Sequence, residues 1–286
     1  MIEIFSTPEG LTLSYERRGT GPLLVCHPGG PGGSAAEFLD FAGLDDTFEL
    51  LLFSPRGSHG SDPADDYRLG SYVGDVEALR RHLGVERLNL LGFSHGGCVA
   101  MAYAAEHPTC VDRLLLVDTL AVWGDEAEAA MLSSIERRKA EPWFAEAARA
   151  IEEEQAGEFA TAAELIANLR RQIPLYFHRW DGNEKVGLLL AEDFAHAEPL
   201  RHFNTVEFPS FDLRGELRTI ASAQTGPAIM SSSPTTTSAG ASILRSSGRR
   251  SRVGNSTVLK WCRGSACAKS SARMRPTFSL PSQRWK

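Results

Sequence analysis

Between Leu88 and Gly97 the chain reads Leu-Asn-Leu-Leu-Gly-Phe-Ser-His-Gly-Gly. An apolar run of strand length passes through Gly92-x-Ser94-x-Gly96 into Val99–Ala105, which reads as a helix stopped by His107-Pro108. No loop separates them. A strand that becomes a helix within so few residues brings two backbones into close contact, and a side chain at the contact would obstruct the turn. Gly92 and Gly96 fall where that crowding occurs, two places on either side of Ser94. The turn lifts the Ser94 hydroxyl clear of the sheet and sets it near the positive end of the following helix. This is the setting a nucleophile elbow requires, with Ser94 as the nucleophile. A glycine-rich turn without chemistry is the competing reading.

The rest of the first 120 residues agrees with a mostly parallel sheet flanked by helices. Leu11–Tyr15, Leu23–Cys26, Glu49–Phe53, Leu88–Leu91 and Leu114–Val117 are short apolar runs bounded by turn residues. Tyr72, Val73, Val76, Leu79 and Leu83 fall at helical spacing on one face. Residues 1–122 therefore read as the N-terminal part of an α/β core. From 123 to 208 strand-like runs disappear and helix formers dominate, with Pro142 and Gly157 as breaks. A helical insertion after several strands reads as a lid over a site on the sheet, or simply as a helical layer. Residues 209–217 return to the core.

A second glycine-rich segment, Val25-Cys26-His27-Pro28-Gly29-Gly30-Pro31-Gly32-Gly33-Ser34, follows directly on a strand. Cleavage of an ester or amide develops an oxyanion that backbone N–H groups must meet at close range. Glycines let a loop bring its backbone that near, and two prolines stiffen it. A phosphate cradle fits poorly, because no Gly-Lys-Ser/Thr follows and no dinucleotide fingerprint is present.

Together these two segments resemble the α/β-hydrolase superfamily and, within it, the proline iminopeptidase-like serine hydrolases. Gly29-Gly30-Pro31-Gly32-Gly33 is similar to that group's His-Gly-Gly-Pro-Gly oxyanion loop, with Pro28 where its histidine would align and His27 one place earlier. Phe53-Ser54-Pro55-Arg56-Gly57-Ser58-His59-Gly60-Ser61 resembles the family's Asp-x-Arg-Gly-x-Gly-x-Ser turn, with Ser54 replacing the acid. Trp180-Asp181-Gly182 resembles a Trp-Glu-Gly element whose carboxylate helps hold a substrate amine.

The resemblance covers about residues 1–217. It implies the α/β-hydrolase fold with a helical lid and a Ser-acid-His triad in that chain order. It further implies an acyl-enzyme at Ser94, and backbone N–H groups of Gly30 and His95 as oxyanion donors. Trp180 and Asp181 are implied as substrate-binding residues. No metal or organic cofactor is implied. The substrate expected is a small molecule or a short peptide losing its N-terminal residue. The His95 side chain reads as pocket wall rather than base. Asp118, after the run Leu114–Val117, reads either as a structural or capping residue or as the acid. His178, His196 and His202 lie in the lid region, an unusual approach for a base.

The family's acid and histidine would fall beyond about residue 225, and there the composition breaks. All 36 Asp and Glu and all 8 His lie at or before Glu216. With 18 of the 30 Lys and Arg, residues 1–217 carry −18; residues 218–286 hold the other 12 cations and no acid, giving +12. The overall −6 is the sum of two unlike regions. Residues 218–286 are Ser-rich, include the run Ser231-Ser232-Ser233-Pro234-Thr235-Thr236-Thr237-Ser238, and show no helix or strand period. They read as a disordered, basic Ser/Arg tail of the kind an out-of-frame segment produces, with the C-terminal part of the core missing. Two further readings follow. One is a hydrolase-fold protein inactive for want of the triad acid and histidine. The other is a cationic tail that binds nucleic acid, against which stands the −18 body.

Composition otherwise narrows the class. Hydrophobic residues at 42% and charged residues at 23% are ordinary globular values, which excludes a fibrous or wholly disordered chain. Five cysteines, scattered and odd in number, outline no disulfide framework, and no apolar run approaches membrane-spanning length. The opening residues Met1–Ser6 have neither a basic start nor an apolar stretch, so the expectation is a cytoplasmic protein that engages neither membrane nor nucleic acid.

Overall fold

Alternate residues of the strands face opposite sides of one sheet, and each side carries its own apolar layer. Val25, Leu51, Phe53, Leu88 and Leu90 point to one side, where Tyr72, Val73, Val76 and Leu79 and Val99–Ala104 cover them. Leu24, Cys26, Leu50, Leu52 and Leu91 point to the other, against Ala35, Phe38, Leu44 and Phe48. Burial on both faces is what a parallel sheet inside an α/β protein demands, and it explains the nearly continuous run Leu50-Leu51-Leu52-Phe53. These relationships come from a computed structural model, which describes residues 1–38, 43–177, 180, 194–223 and 229–231.

Among the described residues seven strands run in the order β1-β2-β4-β3-β5-β6-β7. They are β1 (Ile2–Ser6), β2 (Thr12–Arg18), β3 (Leu23–His27), β4 (Glu49–Ser54), β5 (Leu88–Phe93), β6 (Val111–Val117) and β7 (Ile229–Ser231). β1 and β2 pair antiparallel, as do β2 and β4; every later pairing is parallel. The helices of the core are α1 (Leu69–His82) and α2 (His95–Glu106), which pack on each other, α2 also packing on β5. The strand β1 has no clear alternation in sequence and shows itself only through its register with β2.

Ala121–Trp123 and Phe211–Leu213 lie side by side, closed by Trp123 N–H to Phe211 O at 2.9 Å and Leu213 N–H to Ala121 O at 2.6 Å. The insertion between them holds α3 (Asp125–Glu136), α4 (Phe144–Gln155), α5 (Ala162–Tyr176) and the short α6 (Glu198–His202). A capping box opens α5: Thr161 Oγ1 accepts the Glu164 N–H, and the Glu164 carboxylate accepts the Thr161 N–H. Phe159, Leu165, Phe194, Ala197 and Leu200 form the insertion's own apolar cluster.

Two described elements bear on the boundary expected at residue 218. A helix, α7 (Arg214–Ala223), runs across it and packs on α2. Ile229–Ser231 then extend the sheet parallel to β6, Ile229 opposite Leu114. The sheet thus continues past the point where composition changes, because a backbone ladder needs no particular side chains. The remainder of the expected tail, 224–228 and 232–286, lies outside the described residues.

Candidate active site

β5 ends at Phe93 and α2 begins at His95, which leaves Ser94 alone in the turn with φ 50° and ψ −118°. A non-glycine residue is rarely found there, and strain of this kind persists only where the surroundings over-determine it. They do so here. Ser94 N–H donates to Val117 O at 3.0 Å, and Gly97 N–H donates to Ser94 O at 2.9 Å. A Cβ on Gly92 would lie 2.2 Å from Gly96 O, and one on Gly97 would lie 2.5 Å from the Thr119 side chain. Cys98, one turn on, directs its thiol toward Ser94 O at 3.8 Å, and burial pushes that thiol up to about 11. It is a packing residue at neutral pH. The Ser94 side chain is half-buried at the sheet's C-terminal edge, where open α/β sheets bind ligands.

The glycine-rich loop meets the elbow directly. A Cβ on Gly96 would lie 2.4 Å from both His27 O and Pro28 O, so the two backbones touch. Gly30 and Gly32 adopt φ +98° and +103°. At either position a Cβ would press on the Phe194 ring, which comes from the insertion. Below the loop, Ser58 Oγ donates to Gly33 O at 2.6 Å and Ala35 N–H donates to Ser54 Oγ at 3.1 Å. His95 opens α2, so its N–H is among those a helix leaves without an intrahelical acceptor. The geometry therefore brings together Ser94, the start of α2 and the loop that carries Gly30.

The His95 imidazole packs edge-on between Tyr72 and Phe203, with ring centroids 5.0 and 4.9 Å away. It is 3% exposed, and neither ring nitrogen has a hydrogen-bond partner. Desolvation, with a smaller contribution from His27, holds its pKa at about 3. His27 is equally buried; it bonds Pro28 O through Nδ1 at 3.0 Å, and burial lowers its pKa to about 4. Both are neutral at physiological pH.

Asp118 follows β6 with φ +45°, one residue after Val117, which pairs with Phe93. Trp180 packs on Phe177 with ring centroids 5.5 Å apart. Asp181 and His178 lie outside the described residues. His196 is partly exposed, and Nε2 of His202 is buried without a partner. Among the described residues no imidazole hydrogen-bonds to Ser94 Oγ. Sequence reasoning missed Phe194, Phe203 and Thr119 around the elbow, because each reaches it from a distant stretch of chain. No group of three or more metal-binding side chains occurs among the described residues, and none of their helices is long and apolar enough to cross a membrane.

The family model for the alpha/beta hydrolase fold matches residues 22–183, more than half of the chain. The chain belongs to the alpha/beta hydrolase fold family. Within it, the chain is 35% identical to a proline iminopeptidase of Lactobacillus helveticus over 121 residues, 39% of this chain and 41% of that protein. It is 37% identical to a proline iminopeptidase of Xanthomonas citri over 111 residues, 37% of this chain and 35% of that one. The matched stretch thus spans well under half the length of these curated relatives. Among solved structures, this alpha/beta hydrolase superposes on an esterase from Exiguobacterium antarcticum with a TM-score of 0.57 at 18% identity, covering 80% of each chain. It also superposes on a hydrolase from Pseudomonas aeruginosa with a TM-score of 0.54 at 22% identity, covering 80% of this chain and 89% of that one. At such identities the structural likeness speaks for the fold.

Proposed function

We propose that this chain is a serine hydrolase that cleaves an ester or amide through an acyl-enzyme at Ser94. The observation that carries the proposal is the strained Ser94 turn, held at φ 50° against a glycine-rich loop. In the first half-reaction Ser94 Oγ bonds to the substrate carbonyl carbon, and its proton passes to a base. The carbonyl oxygen takes the negative charge, which the N–H groups of His95 and Gly30 stabilise. The bond to the leaving group then breaks as that group takes up a proton. Water repeats the sequence on the acyl-enzyme, releasing the acid and restoring the Ser94 hydroxyl. The similarity to proline iminopeptidases favours a short peptide losing its N-terminal residue, with Trp180 and Asp181 near the amine. Asp118, at the end of the strand beside the elbow, is the candidate acid. The expected setting is cytoplasmic.

A fluorophosphonate probe tests the reading: covalent mass on Ser94 supports it, and its absence from the intact chain sinks it. A panel of aminoacyl arylamides against simple aryl esters then separates peptidase from esterase.

One observation favours a second reading, a catalytically inactive hydrolase-fold protein. Ser94 Oγ has no imidazole partner among the described residues, and the sequence contains no Asp, Glu or His after Glu216. A serine hydroxyl without a base within hydrogen-bond reach is a weak nucleophile. The same labelling experiment decides between the two. The basic tail lies largely outside the described residues, and salt-dependent binding of RNA or DNA by the full chain would favour the nucleic-acid reading.

A further inference from the structure

The turn after β4 reaches under the glycine-rich loop and grips it at two points. The Ser58 hydroxyl donates to the Gly33 carbonyl at 2.6 Å, and Ser54 Oγ accepts the Ala35 N–H at 3.1 Å. Both serines are buried, so neither bond competes with water. The two grips flank Ser34, three to five residues after Gly30, and they fix the peptide planes on which the loop's coil is built.

The turn itself cannot shift. Arg56, between the two serines, is 1% exposed and forms a fork with the fully buried Asp75 of α1: Nε to Oδ2 at 2.8 Å and Nη2 to Oδ1 at 2.7 Å. Its Nη1 donates to Asp66 O at 3.0 Å. Ser61 Oγ donates to Ser54 O at 2.6 Å and accepts the Ser14 N–H from β2 at 2.8 Å. One side of the loop is therefore tied through the turn to α1 and β2, while the Phe194 ring covers Gly30 and Gly32 on the other.

We propose that Ser58 and Ser54 are positioning residues that hold the oxyanion donor of the glycine-rich loop in its working orientation. The proposal rests on the hydrolase reading above. Donors act on a transition state only when they are held within a fraction of an ångström of the developing charge, and loops reach that precision only through supporting bonds. Ser54 occupies the place where the resembling family has an acid, and its hydroxyl supplies the acceptor for Ala35 N–H without a charge.

The test uses the full chain and the variants Ser58→Ala, Ser54→Ala and Ser58→Thr. Two quantities are measured: the fluorophosphonate inactivation parameters, and amide hydrogen exchange across residues 29–36. Each alanine variant should lower the limiting inactivation rate about tenfold, well short of the roughly 10²–10³ that outright loss of an oxyanion donor costs because the donor is misplaced and not removed, with probe affinity within about twofold. Exchange should quicken at 29–36 and stay unchanged elsewhere. Ser58→Thr keeps the donor and should recover most of the rate. Limiting rates within twofold of the parent overturn the proposal, as does faster exchange spread evenly over the chain. A parent that takes no label sinks the hydrolase reading instead. Exchange then decides alone, and unchanged exchange at 29–36 in both alanine variants overturns the positioning role.

Discussion

Gly96 faces the His27 carbonyl so closely that a Cβ on Gly96 would lie 2.4 Å from that oxygen. The same Cβ would lie 2.4 Å from Pro28 O and 2.7 Å from His27 Nδ1. No flexible side-chain end can yield there, since two of the three neighbours are backbone. The α2 start and the glycine-rich loop consequently form one unit, and the distance between Ser94 and the loop is set by this contact.

Gly96→Ala should therefore push the two segments apart. Overpacking of this type costs roughly 1–3 kcal/mol, and for a chain of this size that lowers Tm by about 2–12 °C. The control is Gly74→Ala, exposed on α1 with nothing within 4 Å of its added Cβ. That change should stabilise by about 0.5–1 kcal/mol. Thermal unfolding of both variants checks the pair; equal shifts would refute the contact.

Ser94 stores strain that glycine would relieve. Its φ of 50° with ψ −118° is open to glycine and costly to any other residue. Ser94→Gly should raise stability by about 1–3 kcal/mol, the usual cost of such a conformation, less the added entropy of an unfolded glycine. Labelling by the fluorophosphonate should vanish at the same time. A gain in Tm with loss of labelling would mark the turn as held for function at the expense of stability. A loss of Tm would show that the turn is not strained.

Much of this was legible in the sequence, and the reason is local. The elbow announces itself because Gly92, Ser94 and Gly96 stand within five residues. The short apolar runs of β3, β4 and β5 and the 3.6 period of α1 are equally short-range. What escaped is everything assembled from distant stretches. Phe194 on Gly30 and Phe203 on His95 pair residues more than a hundred apart, and no periodicity encodes them. Ser54 and Ser58 were visible only as members of a turn, since their bonds to Gly33 and Ala35 depend on where β4 lies against β3. The strand β7 escaped for another reason: Ile229–Ser231 is too short to show alternation, and its place beside β6 is set by the backbone ladder.

The Arg56–Asp75 pair should be the most sensitive charge pair in the core. Asp75→Asn leaves a buried guanidinium without its fork, and breaking a buried pair from one side costs about 3–5 kcal/mol. Glu9 also reaches Arg56, at 3.2 Å, but its side chain is 63% exposed. Glu9→Gln should accordingly change stability by less than about 1 kcal/mol. Urea unfolding of the two variants measures the difference. Equal effects would mean that the buried fork is no stronger than the exposed contact.

Two neutral imidazoles beside the elbow make stability depend on pH in a definable window. His27 and His95 have native pKa values of about 4 and about 3, depressed by burial, against about 6.5 in an unfolded chain. Below pH 6.5 the unfolded state binds protons that the native state refuses, so stability falls as pH falls. The loss begins near pH 6.5 and continues toward pH 4 for His27 and pH 3 for His95. With both groups active the slope approaches about 2.7 kcal/mol per pH unit. Asp66 and Glu77 have pKa values lowered by their arginine partners and contribute below about pH 4.5, whereas burial raises those of Asp75, Asp118 and Glu154, whose earlier protonation in the native state offsets part of the histidine slope. His95→Phe keeps the ring between Tyr72 and Phe203 and removes one of the two titrations. Urea midpoints measured from pH 7.5 to pH 5 should fall for the parent and distinctly less steeply for His95→Phe. Parallel profiles would show that His95 takes up its proton in the folded state as readily as in the unfolded one, and that its place between the two rings does not keep it neutral.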